Sequence, residues 1–454
     1  MEFQYTLDLA LARSLAESKK FIELRNLMTE AEPVDNALLF EELSPEEAPI
    51  VFRVLPKELA AEIFVEMDSD LQERFIGTFT DSELKNILVE LYLDDIVDIV
   101  EEMPANVVTR ILANAEDRHT INHLLSYPSD SAGSIMTVEY INLRPDMTVT
   151  EAFAHIRRVG FDSETIYTCY VTLSRKLIGV ISVQTLLLAD PDAMIQDIMT
   201  TNVVSVPTLM DKEEVALLFS KYDFLALPVV DKEERLVGII TVDDALDVIS
   251  EADEEDFTKM AAITPTDRPY LKTSPLRIWL TRIPWLLILM ASATVTGIII
   301  STFESALAAQ VVLTAFIPML MGTGGNAGSQ ASVTVIRGIS LGEITFRDLL
   351  RVIWKEFRVA ILCGISLAIV TFIKLILIDN AIMGGDITIM IALTVSLTQL
   401  LTVLCAKIIG CFMPLLAEKF GLDPAVMASP FITTIVDALS LLVYFGMASL
   451  LLSL

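Results

Sequence analysis

Histidine and cysteine are scarce in this 454-residue chain. The three histidines (His119, His123, His155) and four cysteines (Cys169, Cys363, Cys405, Cys411) stand at no metal-ligand spacing, which argues against a zinc or redox centre. No phosphate loop, nucleophile with its base, or histidine cluster is found, so an enzyme is not expected. The N-terminal stretch MEFQYTLDLALARS has neither a basic segment nor a long apolar core, and no cleavable signal is read from it. Positive charge is also sparse at first. Of 61 acidic and 32 basic residues, 9 and 11 follow Tyr270, leaving about −31 on the first 270 residues and about +2 on the rest. An acidic half of this size argues against nucleic acid as a partner and for cations, above all hard divalent ones that take oxygen ligands.

What is present begins with a twelve-residue period. Leu43, Leu55, Met67, Phe79, Leu91 and Met103 recur at that spacing, followed in phase by Val51, Ile63, Phe75, Ile87, Ile99 and Ile111. With Pro45, Pro56, Asp68, Asp81 and Pro104 as start signals, the pattern predicts short stacked helices whose acidic phases, including Glu62, Asp94, Asp95, Asp98, Glu101 and Glu102, face outward. A second repeat follows, in which Ile135-Met136-Thr137 returns as Ile198-Met199-Thr200. Each copy continues with strands and helices: Tyr140–Leu143, Tyr167–Thr172 and Ile178–Val183, then Val203–Val206, Leu227–Val230 and Val237–Val242. The two copies resemble tandem cystathionine-β-synthase-type (CBS) domains. That resemblance makes an adenosine nucleotide such as ATP a ligand to consider at Thr241 and Asp244; the first copy, with Ser182 and Thr185, lacks the acid. Next comes DDALDVISEADEEDFTKM (Asp243 to Met260), an acidic helix pattern closed by Thr264-Pro265 and Arg268-Pro269.

Five apolar stretches are long enough to cross a bilayer: near Trp279–Phe303, Leu307–Ile336, Val359–Ile378, Ile387–Leu416 and Pro424–Leu454. Lys272, Arg277 and Arg282 precede the first, and Arg337, Arg347, Arg351, Lys355 and Arg358 are read as the second connection. The third connection (Asp379, Asn380, Gly384, Gly385, Asp386) has no basic residue, so the positive-inside rule puts the soluble half in the cytoplasm and the C-terminus outside. The second stretch carries Gly322, Gly324, Gly325, Asn326, Gly328, Ser329 and Gln330. It is read as too glycine-rich for an undisturbed helix; the glycines alone suit close helix packing equally well, and Asn326 and Gln330 shift the reading towards a polar passage. The fifth places Asp437 fourteen residues after Asp423, about 20 Å along a helix and deep in hydrocarbon, where an ionisable group points to an ion pathway.

The order of these parts, with GTGGNAGSQ in the second span and DPAVMASPFITTIVD in the fifth, resembles the MgtE family of magnesium channels, related to the eukaryotic solute carrier family 41. The implied architecture is a helical superhelix (1–130), two α/β CBS modules (131–195 and 196–244), an acidic plug-like helix and linker (245–277) and five transmembrane helices (278–454). The resemblance also implies a homodimer in the cell membrane, with Asp437 as the pore acid and Gly322, Gly325, Asn326 and Thr433 along the pathway. Its regulatory carboxylates match Glu62, Asp94, Asp98, Asp211, Glu213, Asp223, Asp244, Asp247 and Glu255, while Ser329, Ser429 and Ala252 depart from the family pattern. The function it implies is passage of Mg2+, with Co2+, Ni2+ and Mn2+ as further candidates, closed by cytosolic Mg2+. Two rival readings are an ion-coupled divalent-cation carrier and a membrane-anchored metal or nucleotide sensor.

Overall fold

The computed structural model describes residues 6–266, 270–382, 387–427 and 429–452. Arg268 and Pro269, and Gly384, Gly385 and Asp386 of the third connection, lie outside them. The chain forms two compact units, Met1–Ile249 and Ser250–Leu454.

The first unit opens with ten short helices between Leu9 and Leu124. Their starts follow the local chemistry: Asp68 accepts from the Leu71 N–H at 2.8 Å, Thr80 and Glu83 form a capping box, and Pro56 and Pro104 each precede a first turn. The repeating positions are the core, with Ile63, Phe75, Ile99 and Ile111 at most 5% exposed. Phe40, Phe52, Phe64, Phe75 and Phe79 interlock with ring centroids 5.0 to 6.4 Å apart, so each turn of the superhelix buries its stripe on the next.

The CBS copies each build a three-stranded sheet. In the first, β1 (Tyr140–Leu143) runs parallel to β2 (Thr165–Leu173), which pairs antiparallel with β3 (Lys176–Ser182). In the second, β4 (Val206–Pro207), β5 (Ala226–Val230) and β6 (Leu236–Thr241) repeat the order. The repeated Met-Thr pairs lock the copies together. Thr137 bridges to Ile239 on β6 and Thr200 to Val180 on β3, and a Cβ at Gly238 would lie 2.7 Å from the Met136 sulfur. Glycine is therefore required where a flanking segment crosses the edge strand. The core of the superhelix continues without a break into the second CBS copy through Met136, Val206, Phe219, Leu227, Ile240 and Val248, whereas the first copy has a core of its own.

In the second unit five helices are long and apolar enough to span: Pro275–Thr302, Val311–Ser340, Phe346–Asp379, Ile389–Lys419 and Pro424–Leu452. Two expectations are corrected here. The glycine-rich stretch is not a broken span, because Ile317–Ser340 is one continuous helix. Its glycines instead admit neighbours: a Cβ at Gly328 would meet Ile432 at 2.9 Å, one at Gly324 would meet Thr402 at 2.7 Å, and one at Gly410 would overlap the Gly328 carbonyl. Close approach of helices replaces freed carbonyls as the reason for the composition. Second, Arg351, Lys355 and Arg358 do not lie in a connecting loop. They occupy the first turns of the third-span helix, Leu349–Lys374, where long basic side chains can reach the interface.

Candidate ion pathway and regulatory carboxylates

Asp437 lies on the fifth-span helix Ser429–Leu452, half-buried, and among the described residues no hydrogen-bond donor or cation pairs with it. One turn earlier, the Thr433 and Thr434 hydroxyls donate to the Pro430 carbonyl at 2.9 and 3.0 Å. Gly325 lets the second span close on this turn, since a Cβ there would lie 2.9 Å from Thr433 Cγ2. Gly322, Asn326 and Gln330, one helical turn apart, form an exposed face of the same second span. A carboxylate without a counter-charge, on a span packed against a helix with an exposed polar face, is costly in lipid and suits a hydrated cation.

The membrane unit contains a second charged feature that sequence inspection missed. Lys407 and Glu356 pair at 3.4 Å with side chains only 6% and 14% exposed, joining the third and fourth spans. Further along the fourth span, Ser396, Gln399 and Thr402 each bury a side-chain oxygen without a hydrogen-bond partner. The signal was available, because Lys407 and Gln399 interrupt an otherwise apolar run.

In the first unit the acids do not all face water. Asp94 is 7% exposed, contrary to the outward phase assigned to it, because the N-terminal turn of helix Leu93–Glu102 is covered by the first CBS sheet. The Leu93 N–H donates to Glu139 Oε2 at 3.0 Å, and the Glu164 N–H donates to the Glu139 carbonyl at 2.8 Å. Asp94, Glu139 and Glu164 thereby bring one carboxylate oxygen each within 4.8 Å of one another. Asp244, at the start of helix Val242–Met260, adds its charge to the group, and its Oδ2 accepts from the Thr241 hydroxyl at 2.6 Å.

Burial first, and like charge second, raises the proton affinity of the set. Burial, then the charges of Asp95 and Asp244, push Glu164 up to about 8. Burial with the Asp244 charge takes Asp95 to about 6, and burial takes Asp244 to about 6 against its bond from Thr241. Asp94 is raised well above the usual range by burial and Asp244. Like charges held this close without a counter-ion are the donor set that a divalent cation relieves. Glu139 and Glu164 escaped sequence inspection because each is an isolated acid at the mouth of a strand.

The other regulatory candidates lie outside this group of converging oxygens, although the Asp247 charge also acts on Asp244. Glu62, Asp98, Asp247 and Glu255 are exposed on helices. Asp211 caps helix Lys212–Tyr222 by accepting from the Glu213 and Glu214 N–H groups, and Asp223 closes the same helix in the left-handed region at φ 55°. Among the described residues, only Asp94, Glu139 and Glu164 form a group of three acids with converging oxygens.

An intramembrane acid without a counter-charge on a five-span bundle, in a chain that also carries a unit of crowded carboxylates, defines a membrane transporter of cations. Comparison with known proteins identifies the parts of the chain. Residues 317–447 match the MgtE family, described as divalent cation transporters; residues 31–130 match the MgtE intracellular N domain; residues 132–192 and 195–251 match CBS domains. The chain is 38% identical to the magnesium transporter MgtE of Thermus thermophilus over 94% of its own length and 95% of the relative's. It is 32% identical to that of Bacillus subtilis, covering 96% and 95%. A crystal structure of the soluble part of a magnesium transporter superposes with a TM-score of 0.51 at 29% identity, covering 54% of this chain and 97% of the other. The chain belongs to the MgtE family of magnesium transporters.

Proposed function

We propose that the chain is a homodimeric Mg2+ channel of the cell membrane whose soluble half closes it when cytosolic Mg2+ is high. The observation that carries the pathway is Asp437, half-buried on a membrane helix without a counter-charge. Magnesium sheds water reluctantly, so two Asp437 carboxylates across a dimer axis, with Thr433, Gly322, Gly325 and Asn326 nearby, would hold it through its hydration shell. The exposed polar face Gly322–Asn326–Gln330 supports the dimer, since an amide face needs a wet or protein partner rather than lipid. Exposed Leu187 and Leu188 of the first CBS copy, at 68% and 81%, provide a further surface for a second copy.

Residues 1–130, 131–195 and 196–244 act as the sensor, 245–277 transmits, and 278–454 conducts. Binding at Asp94, Glu139, Glu164 and Asp244 neutralises mutual repulsion and draws the superhelix to the CBS pair. Glu62, Asp98, Asp211, Glu213, Asp223, Asp247 and Glu255 supply further weak ligands, and several such ions together give a steep response. Co2+, Ni2+ and Mn2+ share the oxygen chemistry and are expected to enter less selectively. ATP would take Thr241 and Asp244 for its ribose; since Asp244 also belongs to the acid group, nucleotide and metal are thermodynamically coupled there. The soluble half lies in the cytoplasm and the C-terminus outside. Single-channel recording in reconstituted bilayers, with cytosolic Mg2+ varied, tests this reading. Unitary Mg2+ currents that disappear as cytosolic Mg2+ rises are expected, whereas saturable flux requiring a sodium or proton gradient would replace the channel by a coupled carrier.

A further inference from the structure

The last turns of the acidic helix Val242–Met260 carry a cation of their own. Lys259 Nζ lies 2.6 Å from Asp423 Oδ2 and also pairs with Glu255, one turn back on the same helix. Asp423 is well placed to transmit this contact: its Oδ1 accepts from the Ala425 N–H at 2.7 Å, capping the turn Pro424–Met427 that leads into the fifth span. Two further contacts dock the same segment. Asp256 Oδ2 accepts from the Ser340 hydroxyl, at the end of the second-span helix, at 2.8 Å, and Met260 packs against Ile336 and Ala425.

Two carboxylates, Glu255 and Asp423, thus converge from different elements, and repulsion between them would drive the acidic helix away from the membrane unit. The Lys259 side chain, only 25% exposed, stands between them. We propose that Lys259 is a resident cation that clamps the acidic helix to the entrance of the fifth span and holds part of the closed population without any metal. The inference rests on the gating reading above. It adds that closure has a metal-independent floor, set by a tethered ammonium that needs no cytosolic Mg2+ to occupy its place. The ammonium is effective because it is attached: the i to i+4 spacing keeps it beside Glu255 at high local concentration, whether or not Asp423 is engaged.

The test uses the full chain in liposomes and two readouts, one independent of transport. In a chain whose four native cysteines are replaced by alanine, Met260→Cys and Ala425→Cys report docking by oxidative cross-linking in chelator. Lys259→Met should lower the cross-linked fraction about five-fold, the upper range for a partly shielded ion pair, while Lys259→Arg keeps it and added Mg2+ restores it. In flux measurements Lys259→Met should raise Mg2+ entry at vanishing cytosolic Mg2+ and shift the half-inhibiting concentration upward by about the same factor. Asp423→Asn should add little to Lys259→Met, since both remove one pair. Equal cross-linking of Lys259→Met and the parent in chelator overturns the clamp. Cross-linking that follows Lys259 while flux ignores cytosolic Mg2+ keeps the clamp and overturns the gating reading instead.

Discussion

The two candidate cation sites solve opposite problems with the same functional group. In the soluble unit, burial, together with the charges of neighbouring acids, raises the proton affinities of Asp94, Asp95, Glu139, Glu164 and Asp244. In the membrane unit, Asp437 has no charged partner among the described residues, and the Thr433 and Thr434 hydroxyls lie one turn before it. Crowding stores repulsion that an ion releases, so binding there is coupled to a change in arrangement. Within one protomer Asp437 stores none, and an ion held through its hydration shell can enter and leave without a large rearrangement. A sensor benefits from the first property and a pathway from the second.

The sharpest way to break this comparison is at Asp437. Asp437→Asn should reduce divalent flux on the order of a hundredfold, equivalent to roughly 3 kcal/mol, while the protein still assembles in the membrane. Reconstituted flux, normalised to protein detected in the bilayer, measures it, and normal Mg2+ entry would remove the acid from the pathway.

At the crowded site a smaller effect of different kind is expected. Asp94→Asn combined with Asp244→Asn should leave maximal flux intact and raise the half-inhibiting cytosolic Mg2+ about tenfold, in the usual range of coupling energies. Adding Glu164→Gln should weaken inhibition further if that side chain is a ligand. Unaltered inhibition in patches from the triple variant would reduce the group to a surface of packing and charge.

The smallest expected effect is a pH dependence, and its sign separates the crowded site from an ordinary acidic surface. Glu164 titrates at about 8 and Asp95 and Asp244 at about 6 when folded. Unfolded carboxyls titrate near 4. Between the unfolded and folded values the folded state binds more protons, so in chelator stability should fall as pH rises from about 5 to 8. Below about 4 both states are protonated and the dependence vanishes. A drop of about 5 °C in the melting temperature of residues 1–260 across that window is expected, and saturating Mg2+ should largely remove it. A melting temperature that stays flat in chelator would mean the acids are not crowded in solution.

Much of this molecule is written locally. The twelve-residue period specifies the stacked helices because each burial position returns at a fixed helical phase, and Asp68, Thr80 and Pro104 mark starts by chemistry that acts within three residues. The five spans are equally legible, since lipid allows no other way to satisfy a long apolar backbone, and so is Asp437 within the fifth. Inspection failed where the outcome depended on what covers a residue. Asp94 belongs by phase to the solvent side, but the mouth of the first CBS sheet closes over it and supplies Glu139 and Glu164 from 45 and 70 residues away. The glycines of the second span allowed either a break or close packing, and the arrival of Thr433, Ile432 and Gly410 decided for packing on an unbroken helix. Lys259 reads as one basic residue in an acidic helix until Asp423 meets it. The sequence by itself determined the elements and the presence of each charge. Tertiary structure decided which charges lose water and which find a partner, because desolvation and Coulomb energy depend on distance in space rather than along the chain.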